Sequence, residues 1–550
     1  MEQGRIILAV GLSFLVFLVY DFFFVEKQMP PPPAPADTAA PTSDVPKSEA
    51  LDRPEPAAPP QPLPPTQMPA GSARTIVVET PLYKAEMTEA GGAFSSFKLK
   101  NYKESTDIDS PLKEILDVGA QFGEFRLIGE NPLLADMEQS VFIANIEEDK
   151  LVVEEGEGTI AFDWTSKAGI RFIKTFRFSA DSYQIGLDVS IYNSSAIPVK
   201  DAYSVGLYQP YSGESSRYGF VGPNAFVDGR LEEIDPKKID KNGPVSGLVT
   251  WIGQVDRYFM RALIPKTPVP GMVTLRLIEE KAIESRLVAH RDELAGGSER
   301  TDHYLAFMGP KSNTILDSVG HELKRAVNFG MFDFLAKPLL WLMNHIYMII
   351  PNYGVAIILL TILTKILLWP LGTKSYKSMA EMRKLQPLMA DIREKHKNDK
   401  KKMNEEMMGL YRTYKINPMG GCLPMVVQIP FFFALYRMLY EAIELRHAPF
   451  IGWINDLSAP DRLFNFGFSI PFMEPPYGIP VLTIVMGATM FLQQKMSPAP
   501  GDPTQAKLMM FMPLIFTFIF INFSAGLVLY WLVNNILSIG QQYYIQKKYV

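Results

Sequence analysis

A single lysine, Lys365, sits inside the apolar run GVAIILLTILTKILLWPL. A charge at such depth costs roughly 3 kcal/mol on insertion scales and usually faces a cavity, a partner or a functional path. The later apolar segments Gly421–Met438, Ile479–Gln494 and Leu508–Ile545 contain no Asp or Glu, so the chain offers no carboxylate of matching depth. Two roles stay open. The ammonium escapes along its flexible stem to the interface, little more than one turn away at Pro370, or it serves something that arrives from outside. Thr361 lies four residues earlier and shares its helix face, with Thr364 alongside. Trp531 and Asn535 stand in the same relation in the last apolar segment, and Asn534 and Gln428 add neutral amides. Amides, hydroxyls and one cation on facing helices hydrate a groove that lipid alone would not. Taken singly, each amide or hydroxyl is also the mark of a satisfied helix–helix hydrogen bond.

The chemistry this set supports is electrostatic; no catalytic residue is assigned. No GxxxxGK[ST] loop and no HExxH motif occurs, and His321-Glu322 lacks the second histidine of a zinc site. His290 and His303 have no ligand-spaced neighbours, so they read as structural or solvated. Neither a metal nor a cofactor is expected. Cys422 is the only cysteine, which excludes an intrachain disulfide.

The elements that must position these residues fall into two unlike halves. Of 550 residues 47% are hydrophobic, but the first three-fifths is polar and mildly acidic, and from about Phe329 the runs reach bilayer-crossing length. Residues 1–28 read as an uncleaved membrane anchor. Arg5 precedes about 19 apolar residues, long for a signal-peptide core, and no small-x-small cleavage site follows. Residues 29–71 are dominated by proline and alanine and form a stiff, extended linker. Residues 72–325 read as a large all-β sandwich domain. Its clearest strand is Ser182–Tyr192, where Tyr183, Ile185, Leu187, Val189 and Ile191 alternate with polar residues. Thr75–Thr88, Arg171–Phe178 and Met272–Ile278 read as further strands. In residues 326–350, Pro338 is expected to split an aromatic segment into pieces too short to span, giving an amphipathic surface helix.

Residues 351–550 form a five-span core, giving about six spans with the anchor. The expected spans are Tyr353–Leu371, Gly421–Ile443, Ile479–Lys495, Leu508–Ile521 and Gly526–Ile545; Leu508–Ile521 would rise only ~21 Å. The loop 372–420 is rich in Lys and Arg and the Arg446–Gly478 loop is not, which places 372–420 in the cytoplasm. Both termini then lie in the cytoplasm and the β domain outside. Within 372–420, apolar residues at three- and four-residue spacing predict a helical hairpin. Met379 and Met382 mark one arm and Met403 and Met407 the other, with HKNDKKK as the turn. Either the stripes pack on each other, or the surplus methionine forms an adaptable receiving surface for apolar segments.

The stretch NPMGGCLPMVVQIPFFFALY at Asn417–Tyr436 resembles the YidC-type membrane protein insertases of the Oxa/Alb superfamily. LLWPLGTKSYKSMAEMRKLQP upstream, and QKMSPAPGDPTQAKLMMFMP and SAGLVLYWLVNN downstream, extend the likeness in order from about Phe329 to the end. The anchor, linker and outer β domain match the Gram-negative form, with a large periplasmic domain. The resemblance implies a non-enzymatic insertase and chaperone of the bacterial inner membrane. Nascent membrane proteins would enter a hydrophilic groove open to cytoplasm and lipid, and their apolar segments would pass into the bilayer. The family's positive groove residue, usually arginine, maps onto Lys365, so the charge is kept and the guanidinium fork is not. Thr361 and Trp531 match groove positions in contact with substrate. The expected partners are nascent membrane-protein substrates, membrane lipids, the ribosome and a Sec-type translocon, with no specific nucleic-acid binding.

Two other classes compete. A secondary transporter predicts inverted repeats and intramembrane carboxylates, and the sequence offers neither. An envelope-complex scaffold acting through the β domain leaves the intramembrane cation without a purpose.

Overall fold

Alternation of apolar and polar residues builds the first half of the molecule. The computed structural model describes residues 73–549 apart from 117–121, 201–202, 212–218, 240–242, 279–280, 398, 415–422 and 498–502. The expected anchor at 1–28 and linker at 29–71 lie outside the described residues. Gln184–Asn193 is a strand with Ile185, Leu187, Val189 and Ile191 all buried. It pairs antiparallel with Ile170–Ser179 on one side and Glu299–Pro310 on the other. The described strands form a five-stranded and a thirteen-stranded sheet. They pack face to face: Phe94 of the smaller sheet meets Phe176 and Phe178 of the larger edge-on, at 5.3 and 6.3 Å. The domain is thus a β sandwich, as its period-two pattern predicts. The expected strand Thr75–Thr88 is two, Thr75–Glu79 and Tyr83–Thr88. Between them the Thr80 hydroxyl accepts from the Leu82 and Tyr83 amides at 3.2 and 3.1 Å and turns the chain.

Two charges in this domain show how burial and pairing act. Lys174 is fully buried and donates to the carbonyls of Gly91, Gly92 and Phe125, so its ammonium ties three backbone acceptors together. Burial, with Arg126 nearby, pushes its pKa well below the usual lysine range. Glu79 bridges Lys150 at 2.8 Å and Lys100 at 3.0 Å. Those ammonium groups, Lys150 first, hold its carboxyl at about 2. Lys150 lies on the strand that pairs parallel with Thr75–Glu79, so the ion pair reinforces that ladder.

The second half is helical. A short helix α1 (Asn313–Val319) leaves the sandwich. Helix α2 (Asp333–Ile349) runs unbroken through Pro338, which corrects the expected split. Asp333 accepts from the Phe329 amide and pairs with Lys337 at 2.8 Å, fixing the first turn. The proline therefore removes only one hydrogen bond from an already anchored helix. Phe334, Trp341 and Met348 stand exposed at seven-residue spacing, while Ala336, Leu339, Leu340 and Met343 are buried, so the helix is two-faced.

Helix α3 (Tyr353–Lys384) starts at Asn352, whose side chain accepts from the Val355 amide at 3.1 Å. It does not end at Leu371 as expected but continues through Trp369-Pro370 for 32 residues. Beside the proline two side chains bond the Trp369 carbonyl, Thr373 Oγ1 at 2.9 Å and Gln541 Nε2 at 3.0 Å, and hold the turn that follows. Met379 and Met382 therefore ride on α3, not on an arm of a separate hairpin. Helices α4 (Gln386–Lys395) and α5 (Lys400–Thr413) pack on each other. They lie in a unit, Gln386–Lys415, distinct from that of Pro62–Leu385 and Ile416–Val550.

The remaining helices are α6 (Leu423–Glu441), α7 (Val481–Met496), α8 (Pro503–Phe520) and α9 (Ala525–Tyr549). They coincide with the four later expected spans. α8 starts five residues before its expected first residue, so its 18 residues rise ~27 Å instead of ~21 Å. Among the described residues, α3 is the one helix that is by itself long and apolar enough to cross a bilayer; in α8 the apolar stretch Met509–Phe520 is shorter. α9 packs against both α3 and α7.

Candidate functional site

The α3–α9 contact carries the polar residues. Every third or fourth residue of α9 is polar or aromatic along one stripe: Trp531, Asn534, Asn535, Ser538, Gln541 and Gln542. Facing it, Lys365 is only 8% exposed. Its ammonium donates to Ser538 Oγ at 2.6 Å and to Asn534 Oδ1 at 3.5 Å. Lys365 thus points into the α3–α9 helix pair. Both of these partners are neutral, so the positive charge is hydrogen-bonded and not cancelled.

Ser538 is the residue that sequence reading missed. It accepts from Lys365 and donates its own hydroxyl hydrogen bond to the Asn534 backbone carbonyl at 2.6 Å. The signal was present: the polar spacing of Trp531, Asn534 and Asn535 continues unbroken through Ser538 to Gln542. Gln541 donates to the Trp369 carbonyl and to Thr373 Oγ1. Among the described residues, Gln541 Oε1 and both amide atoms of Gln542 are buried without a hydrogen-bond partner, as is the Thr483 hydroxyl of α7. Each such group costs about 1–3 kcal/mol when left dry. The stripe therefore favours water or a polar chain along α9.

The other expected residues separate into different environments. Thr361 is buried, but its hydroxyl is turned back to the Ile357 carbonyl at 2.6 Å, and that of Thr364 to the Thr361 carbonyl at 3.0 Å. Asn535 reaches across to Thr489 Oγ1 of α7 at 3.4 Å, a helix–helix bond. Trp531 joins an aromatic cluster with Phe432 at 4.6 Å, Phe520 at 4.8 Å and Phe516 at 6.2 Å. Gln428 lies half-buried on α6 and does not join the Lys365 set. The site is thus a cationic polar half around Lys365 and Ser538 and an aromatic half around Trp531, on one helix.

Of the methionines, Met379 and Met382 are half-buried on α3. In the separate α4–α5 unit, Met407 is buried and Met403 half-buried. There Tyr411 donates to the Met389 sulfur at 3.8 Å, so part of the stripe packs internally. An open cavity of about 500 Å3 between the two helices is lined by Ile392, Lys402, Glu405, Glu406, Gly409 and Leu410. Among the described residues no cluster of metal-ligating side chains occurs.

Comparison with known proteins covers both halves. The family described as the YidC periplasmic domain matches residues 75–342, and that described as the 60Kd inner membrane protein matches 345–550. The chain is 41% identical over 561 residues to the membrane protein insertase YidC of Syntrophus aciditrophicus, covering 99% of each chain. It is 40% identical over 571 residues to the YidC of Syntrophobacter fumaroxidans, covering 99% of this chain and 100% of that one. A solved active YidC insertase with its first transmembrane domain resolved is 19% identical, with 86% of this chain and 93% of that one covered at a TM-score of 0.38.

Proposed function

We propose a function from the premise that the chain belongs to the YidC family of membrane protein insertases. It receives nascent membrane proteins along the polar stripe of α9, beside Lys365, and releases their apolar segments into the inner membrane. The observation that carries this reading is the Lys365 ammonium, buried against the neutral partners Ser538 and Asn534. A cation kept uncancelled at that depth lowers the barrier for an acidic or polar flank that must cross. The adjoining aromatic cluster around Trp531 suits the apolar segment that follows. The driving force is the substrate's own transfer from water to lipid, at ~25 cal/mol per Å2 of apolar surface, so no nucleotide is required.

On this reading the sandwich is periplasmic, both termini are cytoplasmic, and the α4–α5 hairpin with Met403 and Met407 meets the emerging chain; Met379 and Met382 offer a second apolar contact on the end of α3. The protein acts alone or beside a Sec-type translocon, with the ribosome as a further partner when the substrate arrives during synthesis. Photo-crosslinkers at Asn534 and Trp531 should capture a nascent segment during synthesis. Crosslinkers at Ile366 and Leu367, on the exposed face of α3, should capture lipid. Equal capture of the nascent segment at all four positions would remove the groove from the account.

A further inference from the structure

The segment between α6 and α7 holds large aromatic side chains outward. Phe464, Phe468 and Phe472 are 67%, 65% and 80% exposed. Phe464 and Phe472 also have φ of 63° and 65°, in the left-handed region. For a bulky residue that conformation costs on the order of 1–2 kcal/mol. The segment is nonetheless firmly held. Leu463 and Ile479 exchange two backbone hydrogen bonds at 2.8 and 2.9 Å, and the Phe466 amide donates to the Tyr477 carbonyl at 2.7 Å. Arg462 donates to the carbonyls of Pro476 and Ile521, both at 2.8 Å. Asn522 accepts from the Glu474 amide at 2.9 Å and donates to the Phe472 carbonyl at 3.0 Å. A hairpin is thus strapped to the α8–α9 turn, with Phe464, Phe468 and Phe472 left largely exposed and two of them held at a conformational cost.

The exposure of the rings is unfavourable in water and becomes favourable against an apolar phase, whereas the backbone strain is the same in either and has to be offset by that burial. Continuity says which phase. The Phe472 ring meets Phe518 of α8 edge-on at 5.5 Å. Phe518 belongs to an exposed apolar face with Phe511, Leu514, Ile515 and Ile519, the face of a helix too apolar for water. From Phe464 to Met473 no residue is charged; Arg462 and Glu474 flank the patch. Aromatic residues beside a span end are the pattern of a bilayer interface.

We propose that the Phe464–Phe472 hairpin is a lipid-binding wedge, seated at the acyl–headgroup boundary of the leaflet that meets the α8–α9 turn. Its partner is a lipid surface, and through Arg462 and Asn522 it fixes the depth at which α9 begins. The inference rests on the membrane reading of the helical core.

The test uses the full chain with Cys422→Ser, which removes the only cysteine. Nitroxide labels go on Phe464→Cys, Phe468→Cys and Phe472→Cys in phosphatidylethanolamine–phosphatidylglycerol bilayers. Collision rates are read with oxygen and with a water-soluble nickel chelate. The wedge predicts that all three labels favour oxygen several-fold over a label at Glu474→Cys. Nickel accessibility equal to that of Glu474→Cys would overturn it. So would shielding from both quenchers, or dipolar broadening between copies, since either marks a protein occupant. A label at Leu363→Cys, on the exposed face of α3, separates the two readings. If it is in lipid while the hairpin is in water, the wedge alone fails; if both are in water, the membrane reading fails too.

Discussion

Lys365→Leu keeps α3 apolar and removes the charge from its buried stretch. Ser538 still donates to the Asn534 carbonyl, so the change strands no hydroxyl, and removing a buried ammonium relieves its desolvation. The fold should therefore survive. The functional cost is electrostatic. A carboxylate passing ~6 Å from the ammonium gains about 2.8 kcal/mol at an effective dielectric of ~20. Water in the groove reduces this to about 1–2 kcal/mol, or roughly 5- to 30-fold in rate. The assay is insertion of a small single-spanning protein into liposomes, with protease protection as readout and a translocated flank bearing two Asp, no charge or two Lys. Lys365→Leu should slow the acidic flank by that factor and leave the basic flank almost unchanged. Lys365→Arg should retain insertion, because the guanidinium keeps the charge and can use both Ser538 and Asn534 as acceptors. Lys365→Glu should be slower than Leu for acidic flanks, since it adds repulsion. Leucine performing as lysine whatever the flank would refute the electrostatic role.

Ser538→Ala leaves Lys365 with the 3.5 Å contact to Asn534 and should lower insertion of acidic flanks several-fold; Ser538→Thr should restore it, and failure of that rescue would point to packing alone. Arg257 stacks on the Tyr440 ring at 3.6 Å and donates to the Tyr440 carbonyl at 2.8 Å, joining the sandwich to the end of α6. Arg257→Ala should cost about 1–3 kcal/mol, seen as faster hydrogen exchange at residues 440–446; unchanged exchange would make the contact incidental. Glu79 is depressed from its ordinary 4.5 to about 2, so its stabilisation is fully present above pH 4.5 and fades as the pH falls towards 2. With both lysine partners partly in water it is worth about 1 kcal/mol, and Glu79→Gln should lower the midpoint at pH 7 by roughly 2–4 °C and flatten the acid limb. An acid limb with unchanged slope would exclude the ion pair as its source.

Much of this architecture was legible because burial imposes a period. Ile185 to Ile191 alternate as a half-buried strand must, and the observed strand differs from the expected Ser182–Tyr192 only at its ends. Proline was over-read in both places where it mattered. Pro338 and Pro370 each remove one hydrogen bond, yet Asp333 and Lys337 at one site and Thr373 and Gln541 at the other hold the flanking turns. Those compensations are side-chain contacts that no local pattern reveals. At the site, Thr361 and Lys365 do share a face of α3, but a threonine four residues along a helix can satisfy itself on the preceding turn, and Thr361 does. Ser538 was overlooked because serine is common and small; its meaning comes only from the lysine facing it on another helix. Trp531 turns to an aromatic cluster for a similar reason, since Phe516 and Phe520 belong to the preceding helix.

The most direct measurement is reconstitution of the purified full chain alone in liposomes, with nucleotide removed enzymatically, offered a small membrane protein released into solution. The account predicts that the protease-protected fraction rises well above that of empty liposomes without nucleotide or translocon, and falls with Lys365→Leu when the flank is acidic. Protection no greater than in empty liposomes, or gained only when nucleotide is restored, would contradict it.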